Sequence, residues 1–213
     1  MNTLATQLDA LPPRARQVYD FWFFPGCIEQ LVEVLKQGKR LFWHNKDAEV
    51  DRRITELFSD DLARAGRGEY DNWLETARGT LAFVILVDQF PRHIYRNDVR
   101  AFSFDALALK TCRYAMQRGF DKELEPVHRY FLYLPLMHQQ NVEIQRQSRA
   151  LYDELFRTAP EHLNLGLGLV RDAAHRHCEI IERFGRFPHR NAQLGLQSTP
   201  EEVEFLKEPH SAF

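Results

Sequence analysis

Between residues 170 and 184 the apolar positions Val170, Ala173, Ala174, His177, Ile180, Ile181 and Phe184 fall at the i, i+3, i+4, i+7 spacing of one helix face. A stripe of that kind has to be covered by other helices, and it turns His177 toward the interior. Gly185 then supplies the residue that can turn left-handed just past a helix, and Phe187-Pro188 imposes an extended residue followed by a fixed φ. The helix is expected to stop there and the chain to turn sharply.

Pro188 suits the first position of a short new helix. Its free backbone N–H groups would lie beside Arg186, His189, Arg190 and Asn191, which makes an anion cradle. Two plainer readings compete with it. His177 can be a satisfied core histidine, and arginines at a helix end can simply cap carbonyls.

The rest of the chain reads as helix after helix. Residues 13 to 23 form a first helix with Val18, Phe21 and Trp22 on one side, and a second runs from about 28 to 42. Asn45 or Asp47 can cap a third, whose Val50, Ile54, Leu57, Phe58 and Leu62 keep helical spacing up to Gly66 and Gly68. The pair Phe42-Trp43 would staple it to its neighbour. Leu81 to Val87 is apolar all round, and helix is preferred because a lone strand would have no partner.

Asp88 then stands near a helix C-terminus, where the dipole disfavours a carboxylate, so it needs a cation. Arg92 and Arg96 are the candidates, with Gln89, His93 and Tyr95 close by; Pro91 is expected to end the regular helix. Residues 99 to 118 are helical, and Pro135 is expected to kink or end the helix that carries Arg129, Tyr133 and, just beyond, His138. An arginine in so aromatic a segment should be paired or face a polar cavity. Helices at about 141 to 157 and 161 to 184 follow, and STPEEVEFL offers a capped final helix. The expected fold is all-α, one domain over 1–213, built of antiparallel helix pairs without a sheet.

Composition narrows the function classes. With 213 residues and 44% hydrophobic content the chain can bury a core. Its longest apolar run, 81 to 87, is far short of a membrane span, and its first residues lack a signal-peptide pattern. Cys27, Cys112 and Cys178 have neither metal nor redox spacing, which fits reducing surroundings; a cytoplasmic location is expected. A net charge of -2 argues against a global basic field for nucleic acid.

The segments DQFPRHIYR, RYFLYLP and RFGRFPHRN, together with FWF at 21 to 23 and the STPEE tail, resemble the bacterial family catalogued as domain of unknown function 924. The resemblance implies a tetratricopeptide-like helical arrangement and brings no established activity. The chain departs from the family's habit at Asn97-Asp98 and at Gln139-Gln140, where relatives often carry a Gly-containing and an acidic, Ser-containing sequence respectively.

Chemistry is narrowed by what is missing. There is no HExxH, paired-Cys, GxSxG, P-loop or dinucleotide signature, so neither metal nor cofactor is expected. Two readings remain. In one, Gln89, Arg92, Arg96, Arg129, Tyr133, Arg186, Arg190 and Asn191 hold an anionic small molecule while Asp88, His177 or His189 moves a proton. In the other, the helices form a scaffold whose concave face binds a peptide or a partner protein. Asp88, Arg92 or Arg96, Arg129 or Tyr133, and His177 or Arg186 should converge if the first is right.

Overall fold

A computed structural model of the chain describes residues 11–37, 43, 47–209 and 211–212. Every regular element among them is helical, and none of the described residues is in a strand. The helices are α1 (Pro13–Trp22), α2 (Cys27–Lys36), α3 (Ala48–Gly66), α4 (Ala77–Val84), α5 (Phe90–Ile94), α6 (Asp105–Gln117), α7 (Phe120–Glu123), α8 (Pro126–Met137), α9 (Val142–Thr158), α10 (Asn164–Phe184) and α11 (Pro200–Phe205). Short 3-10 turns at Asp71–Glu75, Val99–Phe102, Glu161–Leu163 and Pro188–Arg190 join some of them.

The centre of the molecule is α4. All eight of its residues are buried, which is why its sequence lacks a polar face, and α1, α6 and α8 pack around it. Gly79 lets the preceding turn fold back on it: a Cβ there would lie 2.2 Å from the Trp73 carbonyl oxygen. α8 is nearly as enclosed. α9 and α10 form the most extensive helix pair, and α10 also reaches α2 and α8. A small satellite of Ile180, Ile181, Phe187 and Phe205 seats α11 on the end of α10.

Caps explain several boundaries. Asp47 accepts from the Glu49 and Val50 amides at the start of α3, and Thr199 with Glu202 closes a capping box on α11. Gly185, at φ 69°, ends α10 where the left-handed residue was expected. Trp43 stacks on Trp22 and donates to its carbonyl oxygen at 3.0 Å; its expected partner Phe42, Asn45, and the 38–42 end of the second expected helix lie outside the described residues.

Two prolines do not end their helices. Pro91 does not end the helical path; α4 passes into a wide π-helical turn, Ile85–Gln89, closed by the Phe90 amide on the Ile85 carbonyl, and continues as α5 to Ile94. A proline removes one backbone donor and crowds the carbonyl four residues back, here that of Val87, and the extra residue in the π turn relieves that crowding. Pro135 likewise sits inside α8, which runs on to Met137 before stopping. The segment 99 to 118 is not one helix, because Ser103 and Phe104 separate the turn Val99–Phe102 from α6.

Candidate functional site

Three helix ends and the π turn meet around Asp88. The π turn carries it with Gln89, one turn before Arg92; α6 begins with Asp105; α8 ends at His138; and the turn after α10 carries His189 and Arg190. Helix ends are where backbone groups lack intrahelical partners, so polar side chains gather there for structural as well as functional reasons.

The Asp88 side chain is fully buried. It accepts from His138 Nδ1 at 2.8 Å, from Gln89 Nε2 at 2.5 Å and, weakly, from Arg92 Nη2 at 3.4 Å. Burial pushes its carboxyl up, but the attraction of the His138 ring and of Arg92 and the hydrogen bonds from His138 and Gln89 outweigh that and hold it at about 2. For His138, burial and the neighbouring Arg92 win over Asp88 and lower the ring below its usual 6.5. At neutral pH the ring is therefore uncharged. It serves Asp88 through its hydrogen bond, and Arg92 supplies the positive charge.

An ionised carboxylate only accepts, so the His138 proton is on Nδ1 and the lone pair on Nε2. Nε2 forms no hydrogen bond among the described residues, and His138 lines an open cleft of about 300 Å³. Phe102, Asp105, Gln139, Gln140, Asn141, Arg190 and Leu194 complete the lining.

Arg92 is committed to carboxylates, with Nη2 2.8 Å from Asp105 Oδ1 as well as near Asp88. Arg190 is not. Its guanidinium is sandwiched between the Phe102 and Phe187 rings, at 4.7 and 4.5 Å from their centroids. Nη1 donates to the His138 carbonyl at 3.1 Å, and Asp105 comes no closer than 3.9 Å. Arg190 is only 7% exposed, and its Nε has no hydrogen-bond partner among the described residues. Burial and Arg92 bring its pKa down to about 10, so it remains a cation at neutral pH. Burial pushes the Asp105 carboxyl up against the pull of Arg92, and burial with Arg190 and Arg92 brings His189 down to about 4.

A larger depression of about 480 Å³ opens on the outer surface of α9 and α10, lined by Asp153, Arg171, Asp172, His175, Arg176 and Glu179. Its His175–Asp153 and Arg171–Asp172 pairs are solvated, and none of its lining residues is buried. Exposed pairs of that kind contribute about 0–1 kcal/mol. The smaller cleft, with its buried charges, is the candidate site.

Of the residues singled out by sequence, Asp88, Gln89, Arg92, His189 and Arg190 come together here. His177 stands behind the cleft wall: its Nδ1 donates to the Ala173 carbonyl at 2.7 Å, its ring packs on Phe187, and burial lowers its pKa to about 3. The others are engaged elsewhere. Arg96 pairs with Asp51 at 2.5 Å in a cluster with His93. Arg129 donates to the Asp121 and Leu124 carbonyls, and Tyr133 donates to the Asp121 carboxylate at 2.7 Å.

Arg186 grips Glu202 through Nε and Nη2, and Asn191 donates to Ser198 and Glu202. The expected convergence is thus partial, because carbonyls and acids outside the cleft satisfied these five side chains. His138, Phe102, Asp105, Gln140 and Asn141 were not singled out as site residues. The available signal was His138 three residues after a helix proline, next to the departure at Gln139-Gln140. Among the described residues, no three His, Cys, Asp or Glu side chains are grouped to hold a metal, and no helix is long and apolar enough to cross a membrane.

A family model described as a bacterial protein of unknown function, DUF924, matches residues 18–210. A solved structure of a protein of unknown function from Agrobacterium tumefaciens is similar at 34% identity and a TM-score of 0.72, over 86% of this chain and 98% of that one. No curated protein matches.

Proposed function

Since the chain belongs to DUF924, a bacterial family of unknown function, it takes no assigned activity from its relatives, and we propose that the cleft binds a small anionic molecule through Arg190. The observation that carries this reading is the state of that side chain: a nearly buried cation, held flat between two aromatic rings, with one hydrogen-bonded nitrogen and no carboxylate in hydrogen-bond reach. The one ion pair of Arg190 among the described residues, with Asp105 at 3.9 Å, is long and shared with Arg92, and a buried charge paired so loosely is expensive; a carboxylate or phosphate that enters the cleft supplies a closer partner. The buried free thiols Cys27, Cys112 and Cys178 fit a reducing, cytoplasmic setting.

The test is a thermal-shift screen of inorganic phosphate and of phosphorylated and carboxylated metabolites against wild type, Arg190→Ala and Arg190→Lys. At tenfold excess over Kd a ligand stabilises the fold by about 1.4 kcal/mol, a rise of roughly 3–5 °C for a chain of this size. Arg190→Ala should lose that rise and Arg190→Lys should recover part of it, because an ammonium cannot make the bidentate contact. An Ala variant that responds like wild type removes the reading.

A second reading rests on α10, where Leu165 and Leu169 are exposed on consecutive turns. In a tetratricopeptide-like arrangement such a stripe offers a partner protein or peptide a docking face. Leu169→Lys would then abolish pull-down of that partner without altering any response to anions.

A further inference from the structure

The cleft holds more than a cation. Gln140 uses its side-chain oxygen inside the fold, accepting the Phe187 amide at 2.8 Å, and Asn141 uses its own to cap α9, accepting the Ile144 amide at 3.0 Å. Each amide is therefore oriented by its oxygen, and its NH2 group has no hydrogen bond among the described residues. Both residues line the cleft. His138, two and three positions earlier in the chain, belongs to the same lining; its Nε2 makes no hydrogen bond among the described residues, and its Nδ1 is held by Asp88. An acceptor held by a buried carboxylate, two oriented N–H donors and a cation form the set needed to add water to a carbonyl group.

We propose that the cleft hydrolyses a small ester or amide that carries a carboxylate or phosphate group, with His138 Nε2 as general base and Asp88 as its positioning residue. The substrate class rests on anion binding by Arg190. Water bound at Nε2 gives up one proton to that nitrogen as its oxygen bonds to the acyl carbon. The carbonyl π pair moves onto the oxygen, where the Gln140 and Asn141 N–H groups stabilise the charge. When that pair returns, the acyl C–O or C–N bond breaks; the leaving group keeps the bonding electrons and takes the proton from Nε2. A carboxylic acid and an alcohol or amine result, and His138 is neutral again.

Asp88 acts through the ring: it fixes the tautomer that presents a lone pair to the cleft and steadies the imidazolium formed in the first step. The cleft volume of about 300 Å³ suits a small molecule or the end group of a larger one.

The probe is mono(4-nitrophenyl) succinate, followed by release of 4-nitrophenolate. Wild type should turn it over, and His138→Gln should lower kcat about 10²- to 10⁴-fold. Asp88→Asn should lower kcat with little change in KM and move the rising limb of the pH profile to lower pH, because the carboxylate that raises the His138 pKa is gone. A limb that stays in place would show that the titrating base is not the ring Asp88 contacts and would overturn the assignment of His138. Should Asp88→Asn fail to fold, His138→Gln decides alone, provided its melting curve shows it folded, since a Gln side-chain amide can still donate to Asp88.

Thermal shift by inorganic phosphate separates the two readings. Stabilised wild type without turnover, or with turnover equal to that of His138→Gln, overturns the hydrolysis and leaves the binding site standing. Absence of both stabilisation and turnover overturns both.

Discussion

Arg186 and Arg190 are four residues apart in the segment RFPHR, yet the fold answers one and leaves the other open. Arg186 meets both oxygens of Glu202, a carboxylate that also caps α11 and accepts from Asn191. That corner is complete: every charge has its counter-charge within hydrogen-bond distance. Around Arg190 the nearby carboxylates, Asp88 and Asp105, are both engaged by Arg92, and aromatic faces take the place of an acid. A satisfied arginine is a structural clamp, whereas one left short of partners against an open cleft is a binding group.

The largest effect should come from the buried carboxylate of the open region. Asp88→Ala takes the buried acceptor from His138 and Gln89 and one of the two carboxylates from Arg92, which keeps Asp105, and should cost about 3–5 kcal/mol, the magnitude found when one partner of a buried ionic cluster is removed. An unchanged midpoint in a urea melt would show that Asp88 does not hold the cluster together.

Acid should separate the two regions next. His177 and His189 have pKa values of about 3 and 4 in the fold, against an ordinary 6.5, because burial disfavours their charged forms. Between those values the unfolded chain binds protons that the folded chain does not, so stability is full above pH 6.5 and falls as pH drops. The slope is about 1.4 kcal/mol per pH unit for each fully shifted histidine. Glu202 is lowered to about 2 from 4.5, chiefly by its hydrogen bonds from Arg186, so the corner keeps its contribution down to pH 4.5 and loses it only below. Urea melts from pH 7 to 4 should therefore show a loss that His177→Gln reduces; an identical slope in that variant would place its titration elsewhere.

Removing the counter-charge of the completed corner should have a smaller effect. Glu202→Gln weakens the capping box and its hydrogen bonds to a solvent-facing arginine, about 1–2 kcal/mol, while phosphate-induced stabilisation stays as in wild type. Loss of the phosphate response in this variant would merge the two regions into one.

The smallest effect on stability belongs to Arg190→Ala. It deletes a buried cation whose desolvation was only partly offset, so the melting temperature without ligand should stay nearly constant or rise, while the ligand response disappears. A marked drop in stability with intact binding would make Arg190 a carbonyl cap for α8 and nothing more.

Much of this was legible without coordinates. The stripe from Val170 to Phe184, the stop at Gly185, the Asp47 cap and the Thr199–Glu202 box depend on residues within a turn of each other, and each appears where periodicity and capping chemistry place it. Asp88 and Arg92 are also local, four residues apart. The expected helix ends at the prolines did not appear, because a helix packed on all sides accommodates Pro91 with one extra residue in the π turn and continues past Pro135 to Met137.

The amino-acid sequence by itself determined that this chain is helical, where several helices begin and end, and that Asp88 needs a cation. Only the tertiary structure decided which arginine would find an acid. Asp51 took Arg96, Glu202 took Arg186, and the Asp121 and Leu124 carbonyls took Arg129, while His138 came to Asp88 from fifty positions along the chain. Pairing of charges depends on distances of a few ångströms between helix ends that are remote in sequence, and local periodicity carries no information about those distances.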